Sequence, residues 1–212
     1  MKKLLLFGII VSMSIGVFGV QAAAQSKALQ KAMKKEYKLK MKEYEKGGWK
    51  IFGTSHTQDV ALLTHYDNLT KDGVTEVMGT AVSSNKNIGK DKVLMSACVT
   101  YAQKIGSNIK GRIVEDMGSV VSTEELAEFE HFYEAYENSV QAEIKGELRN
   151  SYSIYRPVEI QGKEAYEFQT YYIVDENEAS RARIRAFQNA AKESAVAQKY
   201  AEQVSEFINE AF

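Results

Sequence analysis

The run YSIYRPVEIQGKEAYEFQTYYIV, residues 152–174, decides the fold. Tyr152, Ile154, Val158 and Ile160 alternate with other residues in its first half, and Tyr166, Phe168, Thr170, Tyr172 and Val174 do so in its second. Period-two alternation of aromatic and β-branched residues marks strands, and Gln161-Gly162-Lys163 between them marks a tight hairpin. Pro157, the only proline, cannot donate to a ladder, so its strand is expected to be a sheet edge or to contain a bulge.

Helical periodicity surrounds this hairpin. Asp175 with Glu178 caps an alanine-rich helix expected to run to the C-terminus, with Phe187, Ala190, Ala191, Ser194, Ala197, Ala201, Val204 and Ile208 along one stripe. Upstream, Ser122-Thr123-Glu124-Glu125 is a capping box, and Leu126, Phe129, Tyr133, Tyr136, Val140 and Ile144 follow it at helical spacing. Residues 91–112 predict a further helix that buries Leu94, Ala97, Cys98, Tyr101, Ile105 and Ile109. Residues 74–82 are β-rich, and Thr57 caps a short helix carrying Val60, Leu62, Leu63 and Tyr66. The simplest way to bury these stripes is an α+β fold: a small antiparallel sheet of about three strands with helices on one face.

The N-terminus carries an address. Lys2 and Lys3 precede an apolar run from Leu4 to Val20, and Ala22-Ala23-Ala24 supplies the small residues a signal peptidase reads. Three glycines and two serines interrupt the run, which favours cleavage over a membrane anchor. The expected organisation is a signal peptide over 1–24, a lysine-rich helical arm over 25–48, and one α+β domain over 49–212. The address implies export to the periplasm, the outer envelope or the medium.

The chain of 212 residues has a formal net charge of −1, and loss of Lys2 and Lys3 would make it −3, which does not point to nucleic acid. The charge is unevenly spread. Residues 26–46 hold eight lysines against three glutamates, a net of +5, with Leu29, Met33, Tyr37, Met41 and Tyr44 recurring every three or four residues. Lys31, Lys34, Lys35, Lys38 and Lys42 make this segment a candidate contact with an anionic membrane surface, while its apolar stripe offers the alternative of docking on the domain.

Catalytic patterns are sparse. The three histidines, His56, His65 and His131, fit no zinc motif, and the single cysteine, Cys98, reads as a small hydrophobe on an apolar helix face. Glu128-x-x-His131 has di-iron spacing, but that architecture needs a second such pair. Ser83-x-x-Lys86 and Ser107-x-x-Lys110 match a serine–lysine nucleophile pattern without the companion motifs. Asn87-Ile88-Gly89-Lys90 reads as a helix start. No metal site, cofactor or catalytic residue is assigned. Tyr152, Tyr155, Tyr166, Tyr171 and Tyr172 crowd the hairpin, either as sheet packing or as an aromatic face for a peptide, a glycan or a second copy of the chain. Arg181, Arg183 and Arg185 stand where they would grip an anion or form a solvated face. From these the candidate ligand-binding residues are Tyr155, Tyr171, Arg181 and Arg185.

Gly48-Trp49-Lys50 after a lysine-rich helix, Ala97-Cys98-Val99-Thr100-Tyr101-Ala102, and the Tyr171-Tyr172-Ile173-Val174 strand resemble the LPP-twenty-like envelope protein family of Gram-negative bacteria over about Trp49–Val174. The resemblance implies a small α+β domain at the cell envelope and carries over no catalytic residues. The chain departs from the family's lipoproteins in lacking the N-terminal lipidation cysteine, which leaves acyl anchoring unsupported. The expected function is therefore that of an exported, non-enzymatic protein acting by binding or assembly. Alternatives are an exported hydrolase using Glu128, Glu130 and Glu134 with His131, and a protein tethered to an anionic surface through residues 26–46.

Protein recovered from cells is predicted to start within two residues of Gln25. Intact-mass measurement checks this: retention of Met1 would overturn the export reading, and an added diacylglycerol mass the non-lipoprotein reading.

Overall fold

The computed structural model describes the backbone over residues 14–210. The basic start and most of the apolar run of the expected signal peptide lie outside the described residues. The chain divides into two units, the first ending at Lys46 and the second beginning at Gly47.

The first unit contains one helix, α1, Ser14–Lys46, of 33 residues. At 1.5 Å per residue it is about 50 Å long. It starts eleven residues before the arm expected from residue 25 and passes through Ala22-Ala23-Ala24. Alanine has the highest helix propensity of any residue, so the same three residues that match a cleavage site also propagate a helix.

The second unit opens with a strand the sequence reading did not assign, β1, Lys50–Phe52. It is followed by α2, Gln58–Leu69, and β2, Val74–Ser83. Next come α3, Lys86–Arg112, and α4, Thr123–Glu143, joined through a π-helical turn at Ile113–Met117. The hairpin is β3, Arg149–Ile160, and β4, Lys163–Asp175. Three helices close the unit: α5, Glu176–Ala191, α6, Ala195–Lys199, and α7, Ala201–Glu210. The class is α+β, and the four-stranded antiparallel sheet has the order β1-β3-β4-β2.

Local chemistry explains most boundaries. Ser122 and Glu125 form the reciprocal capping box, and Thr57 caps α2. Gln161 (φ 51°) and Gly162 (φ 75°) both take left-handed backbone, as a two-residue hairpin turn matched to strand twist requires. α3 begins five residues before the expected Asp91, because the Asn85 side chain accepts from the amides of Asn87 (2.9 Å) and Ile88 (3.2 Å). The expected single C-terminal helix is instead broken into three. Ser194 caps α6 by accepting from the Ala197 amide, and Gln198 Nε2 donates to the carbonyls of Ala191 and Lys192 at the end of α5. Serine's capping preference thus overrides an alanine-rich periodicity that reads as continuous.

One face of the sheet carries the main core. Val77, Phe168, Tyr172 and Val174 meet Val93, Ala97, Cys98, Tyr101 and Ile105 of α3, and the same cluster continues into Phe129, Phe132 and Tyr136 of α4 and Ala182, Ala186 and Phe187 of α5. Cys98 is a fully buried free thiol, and burial pushes its pKa up. α3 lies against β2 at Gly79, where an added Cβ would sit 2.1 Å from the Val93 carbonyl oxygen. The strand of Pro157 contains the expected bulge, between Asn150 and Tyr152, although β3 is not an edge strand and the proline itself lies away from the bulge. Pro157 pairs with Tyr166 of β4 on one side, while β1 covers only Ser153–Tyr155 on the other. The strand is therefore locally an edge at the proline.

The irregularity in β3 lies between Asn150 and Tyr152. Asn150 and Ser153 both face α3, where Asn150 Nδ2 and Thr170 Oγ1 donate to Ser153 Oγ (3.0 and 2.9 Å). Ser151 and Tyr152 together occupy the opposite face. That second face is covered by α2, through the buried residues Ala61, Leu62 and His65.

Gly79→Ala is predicted to destabilise the domain by about 2–3 kcal/mol, because the obstacle is backbone that cannot rotate away. Gly111→Ala, in α3 with open space around the added carbon, should be neutral or stabilising by up to about 1 kcal/mol. Paired urea titrations check the contrast, and equal effects at the two sites would contradict the close packing at Gly79.

Candidate functional site

The second face of the sheet holds a polar centre inside an aromatic frame. Register puts Tyr152 opposite Tyr171, and their rings stack with centroids 4.6 Å apart and planes 7° from parallel. The His65 ring meets both edge-on, at 5.2 Å from Tyr152 and 5.8 Å from Tyr171. His65 is 1% exposed. Its Nε2 lies 2.5 Å from Glu76 Oε2 on β2, and its Nδ1 lies 3.0 Å from Ser151 Oγ on β3. With Glu76 as a carboxylate that can only accept, Nε2 carries the proton. In the neutral imidazole of that tautomer Nδ1 is an acceptor, and the Ser151 hydroxyl is the group that donates to it. The Glu76 side chain is 38% exposed and Ser151 is half-buried, so the relay runs between two solvent-accessible groups through a buried imidazole.

Backbone features set these three groups. Glu76 and Met78 point to the α2 face because Val77 between them points into the main core. The extra residue in β3 turns Ser151 to the same face as Tyr152, a common use of bulges beside active sites. α2 delivers His65 four residues after Ala61 and three after Leu62, on one buried face. Val60 and Leu63 of the same helix are exposed, since the buried face is centred on Leu62 and His65.

The four expected ligand residues are spread over the fold. Tyr171 belongs to the centre just described. Tyr155 lies on the α3 face, between Phe52 (5.7 Å) and Tyr166 (5.9 Å), with Lys86 Nζ 4.3 Å from its ring centroid. Arg181 and Arg185 are exposed on α5, and Arg185 Nε donates to Glu143 at 2.7 Å. The arginine between them does hold an anion, but the chain supplies it: Arg183 Nη1 donates to Glu176 Oε2 at 2.7 Å and to the Tyr101 hydroxyl oxygen at 2.7 Å. Tyr101 donates to the same carboxylate oxygen (2.8 Å), and Thr75 donates to the other (2.5 Å). Burial and the Glu176 charge hold the Tyr101 hydroxyl far above its usual pKa, against the opposing pull of Arg183.

The groups of the hydrolase alternative are spread along α4, and two of them are engaged elsewhere. Glu128 Oε1 accepts from the Val196 amide (3.1 Å), Glu130 pairs with Lys110 (2.7 Å), and Glu134 and His131 are exposed. Ser83 Oγ accepts from the Asn85 amide (3.2 Å), so the Ser83–Lys86 spacing forms part of a helix start. Among the described residues no group of three or more His, Cys, Asp or Glu side chains is placed to hold a metal ion.

In the first unit, Lys27, Lys31, Lys34, Lys35, Lys38, Lys42 and Lys46 of α1 are all exposed. At about 100° per residue, Lys31, Lys34, Lys35, Lys38 and Lys42 fall within a stripe about 100° wide. Met33 and Tyr37 lie away from that stripe, Met41 borders it, and all three are half-buried, while Leu29 and Leu39 are 56% and 58% exposed. Among the described residues no helix is long and apolar enough to cross a membrane.

Sequence reasoning missed His65, Ser151 and Glu76 as a set. Their separation in the chain hides them, and the one local signal was Asn150-Ser151, two polar residues breaking the alternation just before Tyr152. No protein-family model, curated protein or solved structure matches this chain.

Proposed function

We propose that this is an exported envelope protein that works by binding, with α1 as a cationic arm that lies along an anionic lipid surface. The observation that carries the reading is the exposed lysine stripe of α1, Lys31, Lys34, Lys35, Lys38 and Lys42, on one continuous helix. A row of ammonium groups at helical spacing presents its charge to a plane, and each adds attraction to anionic headgroups within a Debye length of about 8 Å. The signal-like N-terminus and the resemblance to LPP-twenty-like proteins support the envelope as the place of action. Removal of residues 1–24 would leave the arm at the very start of the mature protein, as a free end suits a tether.

The whole mature chain is predicted to sediment with vesicles containing one anionic lipid in about three, and not with zwitterionic vesicles. Binding should fall steeply between about 50 and 200 mM salt, as screening of exposed charges requires. Replacing Lys31, Lys34, Lys35, Lys38 and Lys42 by glutamine should abolish it while leaving the melting temperature of the domain unchanged. Equal binding to neutral vesicles, or full binding by the glutamine variant, would overturn the reading.

A further inference from the structure

We infer that Ser151, His65 and Glu76 form an acyl-transfer centre on the α2 face of the sheet, in which Ser151 is the nucleophile for small carboxylic esters with an apolar acyl group. The inference is independent of the lysine arm, and it gives the domain an activity beyond surface binding.

Three observations meet in it. The nucleophile–base contact, Ser151 Oγ to His65 Nδ1, is 3.0 Å, and the base–carboxylate contact, His65 Nε2 to Glu76 Oε2, is 2.5 Å. This is the hydroxyl–imidazole–carboxylate order that activates a serine: the carboxylate fixes the tautomer, and the free ring nitrogen receives the hydroxyl proton. The ring nitrogens exchange roles relative to the chymotrypsin arrangement, where Nε2 faces the serine, but the chemistry needs one nitrogen on each partner and no particular one. Second, the imidazole is held by two tyrosine rings on fixed strands, so the base has a single orientation. Third, the bulge puts Ser151 out of register with β4 and leaves it half-buried at the boundary between this aromatic frame and solvent. Met78, opposite Tyr171 in register and 39% exposed, adds an apolar flank on the same face, which fits an apolar acyl group.

The step balances without a co-reactant other than water. As Oγ bonds to the ester carbonyl carbon, its proton passes to Nδ1 and the carbonyl electron pair moves onto oxygen. Collapse of the tetrahedral species breaks the bond to the leaving oxygen, which takes the proton from Nδ1 and departs as the alcohol. Water then attacks the acyl-serine by the same proton route, releasing the carboxylic acid and restoring Ser151. Ser151 and His65 are the catalytic residues, and Glu76 is the positioning residue.

The test uses the whole mature protein with an alkyl fluorophosphonate, followed by intact mass and peptide mapping. One adduct per chain, mapped to Ser151, is expected, together with hydrolysis of p-nitrophenyl butyrate that Ser151→Ala abolishes. Glu76→Gln should slow labelling by about tenfold or more, with the melting temperature and the p-nitrophenyl butyrate KM little changed. A structural hydrogen bond would not behave so. Absence of an adduct at Ser151 in the folded protein, an adduct only at another residue, or undiminished labelling of Glu76→Gln would each overturn the inference. Mapping on the unsubstituted protein decides the matter even where a variant fails to fold.

Discussion

Arg183 is the largest fully buried side chain among the described residues, and the residue is 1% exposed. A guanidinium in that position is tolerated only with a counter-charge, because an isolated buried ion costs several kcal/mol even after relaxation. Glu176, seven residues earlier on α5, supplies it. The pair then recruits one hydroxyl from α3, Tyr101, and one from β2, Thr75, while the Glu176 amide donates to the Gly73 carbonyl (2.8 Å) just before β2. Three elements distant in sequence are thereby fixed to one another by a charge that cannot be left alone.

The consequence reaches the other side of the sheet. Thr75 and Glu76 are neighbours on β2, so their side chains point to opposite faces. Thr75 is held by the buried pair, and Glu76 receives His65. A slip of one residue in β2 would exchange them, placing Glu76 in the core and removing the partner of His65. The bulge before Tyr152 does the equivalent work on β3, since without it Ser151 and Tyr152 would face opposite sides. Core electrostatics and strand register together build a polar centre that no local segment contains.

This explains what was legible in the sequence. The capping box at Ser122, the Thr57 cap, the Asp175 cap and the Gln161-Gly162 turn are local rules, and the structure follows them. The antiparallel hairpin was legible for the same reason. What depends on register was not: the hairpin's two apolar sets lie on opposite faces, so Tyr155 and Tyr171 do not share a surface. β1 is three residues long, too short for periodicity to reveal. The aromatic crowding that suggested a ligand face is largely packing, with Tyr152, Tyr171 and Tyr172 buried. Arg183 had a readable signal, an arginine set among Ala179, Ala182 and Ala186 on the buried stripe of a helix, with an acid seven residues before it. A charged residue embedded in an alanine stripe needs a partner within the same core.

Equilibrium denaturation of two variants examines that dependence. Arg183→Met should cost about 3–5 kcal/mol, since it leaves the buried Glu176 carboxyl without its partner, whereas Arg183→Met combined with Glu176→Leu should recover most of the loss, because replacing both groups leaves neither unpaired. A single variant losing less than about 1 kcal/mol, or a double variant no more stable than the single, would contradict the place given to the buried pair.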